Sequence, residues 1–120
     1  MLFRSREWLA HYKKQLENAA RLVVDIRVHT RGMTEDEMKT FVRDEALQGE
    51  QLAHNMWIRT LTTAPQITSY HLGYQQLRAL EQDARRRAGA DFALGRFMDR
   101  MMSLGSAPIS LYRETLDGRP

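Results

Sequence analysis

Apolar residues three and four apart recur along the chain from Trp8 to Leu116, and no stretch alternates apolar with polar for long enough to form a strand. That spacing constrains the fold more than any other feature. It predicts an all-α chain of five or six amphipathic helices, without repeats or low-complexity linkers.

The first helix is predicted from about Arg4 to His29, with Trp8, Leu9, Tyr12, Leu16, Ala19, Ala20, Val23, Val24 and Val28 on its apolar stripe. HTRGMT breaks it, Gly32 suiting a left-handed cap. In TEDE, Thr34 and Glu37 have the spacing of a capping box, so a second helix starts there. Its buried face is expected to be Met38, Phe41, Val42, Ala46 and Leu47, with Gly49 at its end. A third piece carries Leu52, Met56, Trp57 and Leu61. Pro65 is expected in the first turn of a fourth helix, which runs through Ile67, Tyr70, Leu72, Tyr74, Leu77 and Leu80 to Arg85, Arg86 and Arg87, with Gly89 ending it. Asp91 is expected to cap a fifth helix whose inward face is Phe92, Leu94, Phe97, Met98, Met101, Met102 and Leu104, closed by Gly105. Pro108 opens a last one with Ile109, Leu111, Tyr112 and Leu116.

At 120 residues the chain has the size of one domain, 1–120. It contains no cysteine, which excludes disulfides, thiolate zinc sites and a thiol nucleophile. The net charge of +3 rests on interleaved charges of both signs, so neither nucleic acid nor a membrane is expected as a partner; a basic module binding through Arg85–Arg87 is the weakest reading. No apolar run reaches the length of a membrane span, and the first residues lack the apolar core of a signal peptide. The compartment is open.

Most catalytic patterns are missing. His11, His29, His54 and His71 form no HExxH, and Glu50 with His54 is a single helical pair, so no metal ligand is assigned. The serines lack an elbow, no glycine loop could cradle phosphate, and Met98, Met101 and Met102 read as core. Two constellations remain. In DIRVH, Asp25 and His29 lie one turn apart, where a carboxylate can orient an imidazole, or where the two form only a local polar pair. Around APQITSYHLG, Arg59, Gln66, Tyr70 and Gly73 could converge to hold a carboxylate or an oxyanion, with Gln66 and Tyr70 sharing a helical face. The alternative makes Tyr70 a core aromatic, Arg59 a solvated cation and Gly73 a point of close helix approach.

At these residues the chain resembles the C-terminal part of the bacterial family called domain of unknown function 885, helical proteins similar in motif to zinc metallopeptidases. Arg59, Gln66, Tyr70 and Gly73 fall at the intervals of the family pattern Arg-Tyr, then Pro-Gly-Gln-Ala-x-x-Tyr-x-x-Gly, although Thr60, Ala64 and Pro65 depart from it. AARLVVDIRVHTRGMTEDEM resembles an upstream family block, with Asp25, His29 and Gly32 in register. Phe97, Asp99, Gly105 and Pro108 echo a downstream one in which Met98 replaces a histidine. The resemblance spans roughly residues 15 to 116.

The resemblance implies the C-terminal helical portion of a larger peptidase-like domain acting on peptide-like substrates. Tyr70 and His29 would be catalytic, donating to an oxyanion or a substrate carbonyl. Arg59 and Gln66 would bind a substrate carboxylate, and Asp25 would steady His29. The zinc implied for the full-length family would be held by an HExxH helix and a glutamate that lie before this region. Glu7 is not given that role, and no cofactor is expected in this chain itself. The portion is expected to be inactive alone and to be completed by a missing N-terminal part or by a homo-oligomer. The rival expectation is a stand-alone helical interaction or oligomerisation module without catalysis.

Overall fold

The computed structural model describes residues 2–117, which form six α-helices and no strand among the described residues: α1 Leu2–Arg31, α2 Glu35–Asp44, α3 Glu50–Thr63, α4 Thr68–Ala88, α5 Leu94–Ser103 and α6 Ile109–Asp117. The all-α expectation holds. None of the described helices is long and apolar enough to cross a membrane. The helices fall into two compact units, Met1–Leu72 and Gly73–Pro120.

The first unit is built on α3, which packs against both α1 and α2. Val24 of α1, Met38 and Val42 of α2, and Ala53 and Met56 of α3 make its core, flanked by Val28, Met33, Phe41 and Trp57. On α1 the core residues belong to a row that repeats every fourth position: Trp8, Tyr12, Leu16, Ala20, Val24 and Val28. Such a row is a ridge that packs into the groove of a neighbouring helix. The ridge is buried only in its second half, at Ala20 and Val24. Trp8, Leu9, Tyr12 and Leu16, on the apolar stripe as read, are exposed.

The Thr34 capping box forms as read. The Thr34 N–H donates to Oε2 of Glu37 at 2.8 Å, and the Glu37 N–H donates back to the Thr34 hydroxyl at 3.4 Å. The bond from the Thr34 backbone first, and then one donated by the Thr34 hydroxyl to the same Oε2 at 2.9 Å, hold the Glu37 carboxyl below the ordinary glutamate range. The turns on either side of α2 share one device. Gly32 at φ +64° lets the Met33 N–H reach the Arg27 carbonyl (3.2 Å), and Leu47 at φ +53° lets the Gln48 N–H reach the Val42 carbonyl (3.2 Å). Leu47 is therefore neither helical nor buried, being 72% exposed. α2 ends at Asp44 rather than Gly49, and Gly49 is instead the N-cap of α3. Pro65 lies outside the helix expected to begin with it, in the turn 64–67 before α4, where the Ala64–Pro65 peptide is cis.

In the second unit, Leu80 of α4 and Met101 of α5 are buried, while Leu94, Met98 and Met102 of the face expected to point inward are exposed. Asp91 does not cap α5. It lies in a 3-10 turn, Gly89–Asp91, and Ala93 takes the cap position without a side-chain bond. Arg85 is bound to Glu81 at 2.7 Å and lies over the Phe92 ring at 4.2 Å, and Arg86 is paired with Asp83. Gly89 and Gly105, both at positive φ, end α4 and α5 as read.

Replacing Thr34 by alanine is expected to cost about 1 kcal/mol at neutral pH, measured by urea unfolding. Because the folded carboxyl of Glu37 titrates below its unfolded value, its contribution is complete above the ordinary glutamate range and is lost as the pH falls through its lowered value. The penalty of the substitution should therefore shrink in acid. Leu47→Gly, in contrast, is expected to raise stability by about 1 kcal/mol, because glycine adopts the left-handed backbone without strain and no buried contact is given up.

Candidate functional site

A second row on α1 runs one position beyond the apolar ridge and is polar: Glu17, Arg21, Asp25 and His29, again every fourth residue. Asp25 is the most constrained of them, with 4% of its surface exposed. Holding a carboxylate that deep is costly wherever its oxygens lack donors. The Thr68 hydroxyl, in the first turn of α4, supplies one to Oδ2 at 2.5 Å, the short range typical of a charged acceptor.

The other oxygen faces His29. Nε2 of His29 lies 3.3 Å from Oδ1 of Asp25 and 3.1 Å from the carbonyl oxygen of Thr60 in α3. Both neighbours are acceptors only, so Nε2 carries the proton. Its hydrogen bond goes to Thr60, and Oδ1 is buried with no hydrogen-bond donor among the described residues. The 3.3 Å separation is thus a close approach without an aligned bond, which becomes an ion pair only when the ring is protonated. A small rotation of the ring would exchange one acceptor for the other. The Asp25–His29 pair expected from DIRVH is present, and it is more than a local pair at a helix end, because it ties α1 to α3 and α4 together.

The remaining candidates lie on α3, the turn 64–67 and α4, the segments beside this network in sequence. Arg59 precedes the Thr60 whose carbonyl receives His29, and its side chain is exposed. Gln66 does not share a helical face with Tyr70: it sits in the turn 64–67, its N–H donating to the Thr63 carbonyl at 2.8 Å and its own carbonyl accepting the Ser69 hydroxyl at 2.6 Å. Its side chain is exposed. Tyr70, in the first turn of α4, is half-exposed rather than a core aromatic. The Arg21 guanidinium stands 5.9 Å from its ring centroid and is itself held by Glu17 at 2.5 Å. No hydrogen bond joins Arg59, Gln66 and Tyr70 to each other among the described residues. Gly73 does not serve close helix approach, since a Cβ placed there would meet nothing within 4 Å.

Thr60, Thr68 and Arg21 are the members of the network that sequence reasoning missed. Arg21 had a usable signal in its four-residue spacing from Asp25. Thr68, 43 positions from Asp25, had none. As a metal centre the region does not qualify, for among the described residues no three histidine, aspartate or glutamate side chains gather. His54 lies near Glu35 of α2, at 3.9 Å. What the arrangement offers is a fixed imidazole with exposed guanidinium, amide and phenol groups on neighbouring segments, suited to binding an anionic or carbonyl group.

Thr68→Val keeps the shape of the side chain and removes the donor to Asp25. Urea unfolding should show a loss of about 1–3 kcal/mol, the cost of stripping a buried acceptor of its partner.

The family model for bacterial proteins of unknown function, DUF885, matches residues 2–116. A solved structure from Shewanella oneidensis, of a protein of unknown function provisionally described as a lipoprotein, is similar to this chain with a TM-score of 0.85 and 32% identity over 91% of its length. The chain spans only 20% of that protein's length. No curated protein matches the sequence at a significant level. The chain therefore belongs to the DUF885 family of bacterial proteins of unknown function.

Proposed function

We propose that this chain forms one wall of the substrate cleft of a zinc-metallopeptidase-like hydrolase, supplying groups that bind substrate and the developing oxyanion while the metal is held elsewhere. The observation that carries this reading is the burial of Asp25, which fixes His29 against the backbone of α3 while Arg59, Gln66 and Tyr70 stay exposed on the adjoining segments. A buried carboxylate with an unfilled acceptor is costly for a purely structural pair, and such costs are characteristic of sites that must hold a side chain in one orientation.

In this reading Nε2 of His29 is committed to the Thr60 carbonyl, so Nδ1 is the ring nitrogen that meets a ligand. It accepts a hydrogen bond when the ring is neutral and donates one to a substrate carbonyl or oxyanion when the ring is protonated. The Tyr70 hydroxyl donates to the same developing charge, with the Arg21 guanidinium beside its ring favouring negative charge nearby. Arg59 and Gln66 receive the carboxylate of a peptide-like substrate, Arg59 through its planar fork. The zinc implied by the family resemblance finds no donor set among the described residues, and no step is routed through it.

The test belongs in a longer family member carrying these positions. Tyr70→Phe at the matching position should lower kcat for peptide hydrolysis about a hundredfold with KM little changed, the signature of a donor used mainly in the transition state. Arg59→Met should raise KM instead. Unchanged turnover in the phenylalanine variant would remove Tyr70 from the chemistry.

A further inference from the structure

The first half of α1 is covered by nothing within its own unit: residues 5–14 are all exposed. Trp8 is 57% exposed, Leu9 70% and Tyr12 62%, and the Trp8 and Tyr12 rings stack on each other at 5.8 Å. These are not scattered surface apolars. Trp8, Tyr12 and Leu16 continue the four-residue ridge that is buried at Ala20 and Val24, so the exposed surface extends the line of the unit's own core.

We propose that this ridge is an interface for the polypeptide that a longer family member carries outside the region matched by this chain. Three observations select that occupant. The ridge is continuous with the core, which calls for a further layer of the same helical architecture rather than an incidental contact. The Shewanella protein, similar over 91% of this chain, has four fifths of its length outside the match, ample to provide such a layer. The charges disfavour a second copy: Arg6 and Lys13 stand three before and four after Leu9, on its face, and residues 5–14 hold three basic side chains (Arg6, Lys13, Lys14) against one acid, Glu7. Two such surfaces laid together would oppose like charges, whereas an apolar helix bordered by acidic residues would complement them. The interface does not depend on the cleft reading and stands whether or not the wall is catalytic.

The test titrates this 120-residue chain with the separately produced, unmatched portion of the Shewanella protein in a calorimeter. One-to-one binding at micromolar Kd or tighter is expected, weakened about tenfold or more by the joint substitution Trp8→Glu and Tyr12→Glu. Both positions are exposed, so the circular dichroism of the variant should match the original. A folded partner that does not bind, or that binds the double variant equally well, overturns the proposal. So does sedimentation showing a dimer of the chain alone that the double substitution dissolves, which would give the ridge to a second copy. Should the separate portion fail to fold, this chain is exchanged for the matching fifth of the Shewanella protein. Hydrogen exchange across residues 5–16 should then slow about a hundredfold relative to the isolated chain, and equal exchange rates overturn the interface. Tyr70→Phe should leave the binding unchanged, so failure here and failure of the cleft reading give different results.

Discussion

The burial of one carboxylate organises the first unit. Asp25 lies beside Val24, a core residue, on a helix whose neighbours are apolar, and an unpartnered charge there would cost several kcal/mol. The chain meets that cost from a distance: α4 must begin where Thr68 can reach Oδ2, and α3 must bring the Thr60 carbonyl to the imidazole that flanks Oδ1. The positions of three helices are thereby coupled through one side chain. The turn at 64–67 reads as a consequence of this coupling, since it delivers Thr68 only eight residues after Thr60 while interrupting the helix between them.

α1 divides its labour between two parallel rows. The ridge through Ala20, Val24 and Val28 supplies apolar contact, and the row through Glu17, Arg21, Asp25 and His29, rotated by about 100° on the helix, supplies the polar network. Because the rows are adjacent, the network sits at the edge of the core, sheltered on one side and open on the other. Asp25 is on the sheltered side; His29, one turn on, is partly exposed. That placement lets a single carboxylate–imidazole pair be rigid at one end and available at the other, which is what the proposed binding of a ligand group in fixed geometry requires.

The parts of this architecture that were legible in the sequence are those decided within one turn of chain. The Thr34–Glu37 box, the left-handed Gly32 and the cationic end of α4 all follow from residues a few positions apart. Local rules failed where tertiary demands overrode them. Gly49 looks like a helix end, yet Leu47 takes the strained conformation two residues earlier because Ala46 and Gln48 must both turn inward, where they are buried. Gln66 and Tyr70 have helical spacing, but the turn required to deliver Thr68 removes Gln66 from the helix. Asp25 and His29 could be paired from sequence because they are four apart on one helix. The donor that makes Asp25 tolerable could not, since nothing local distinguishes Thr68 from its neighbours Ser69 and Thr63.

The same contrast applies to the apolar stripe of α1, which is legible as a stripe but whose cover is not. Periodicity reports which side of a helix is apolar, whereas burial depends on what lies opposite. The ridge changes character along its length: small side chains, Ala20 and Val24, where it is buried, and large ones, Trp8, Tyr12 and Leu16, where it is exposed. Small residues allow a close approach of helix axes; large aromatics fill a wider gap between layers, and exposed they contribute little to stability. A helical half of about fifteen residues gains little stability from propensity alone and depends on packing of its apolar face. Large aromatics on a ridge with no cover in its own unit are therefore the surface that the proposed interface would enclose.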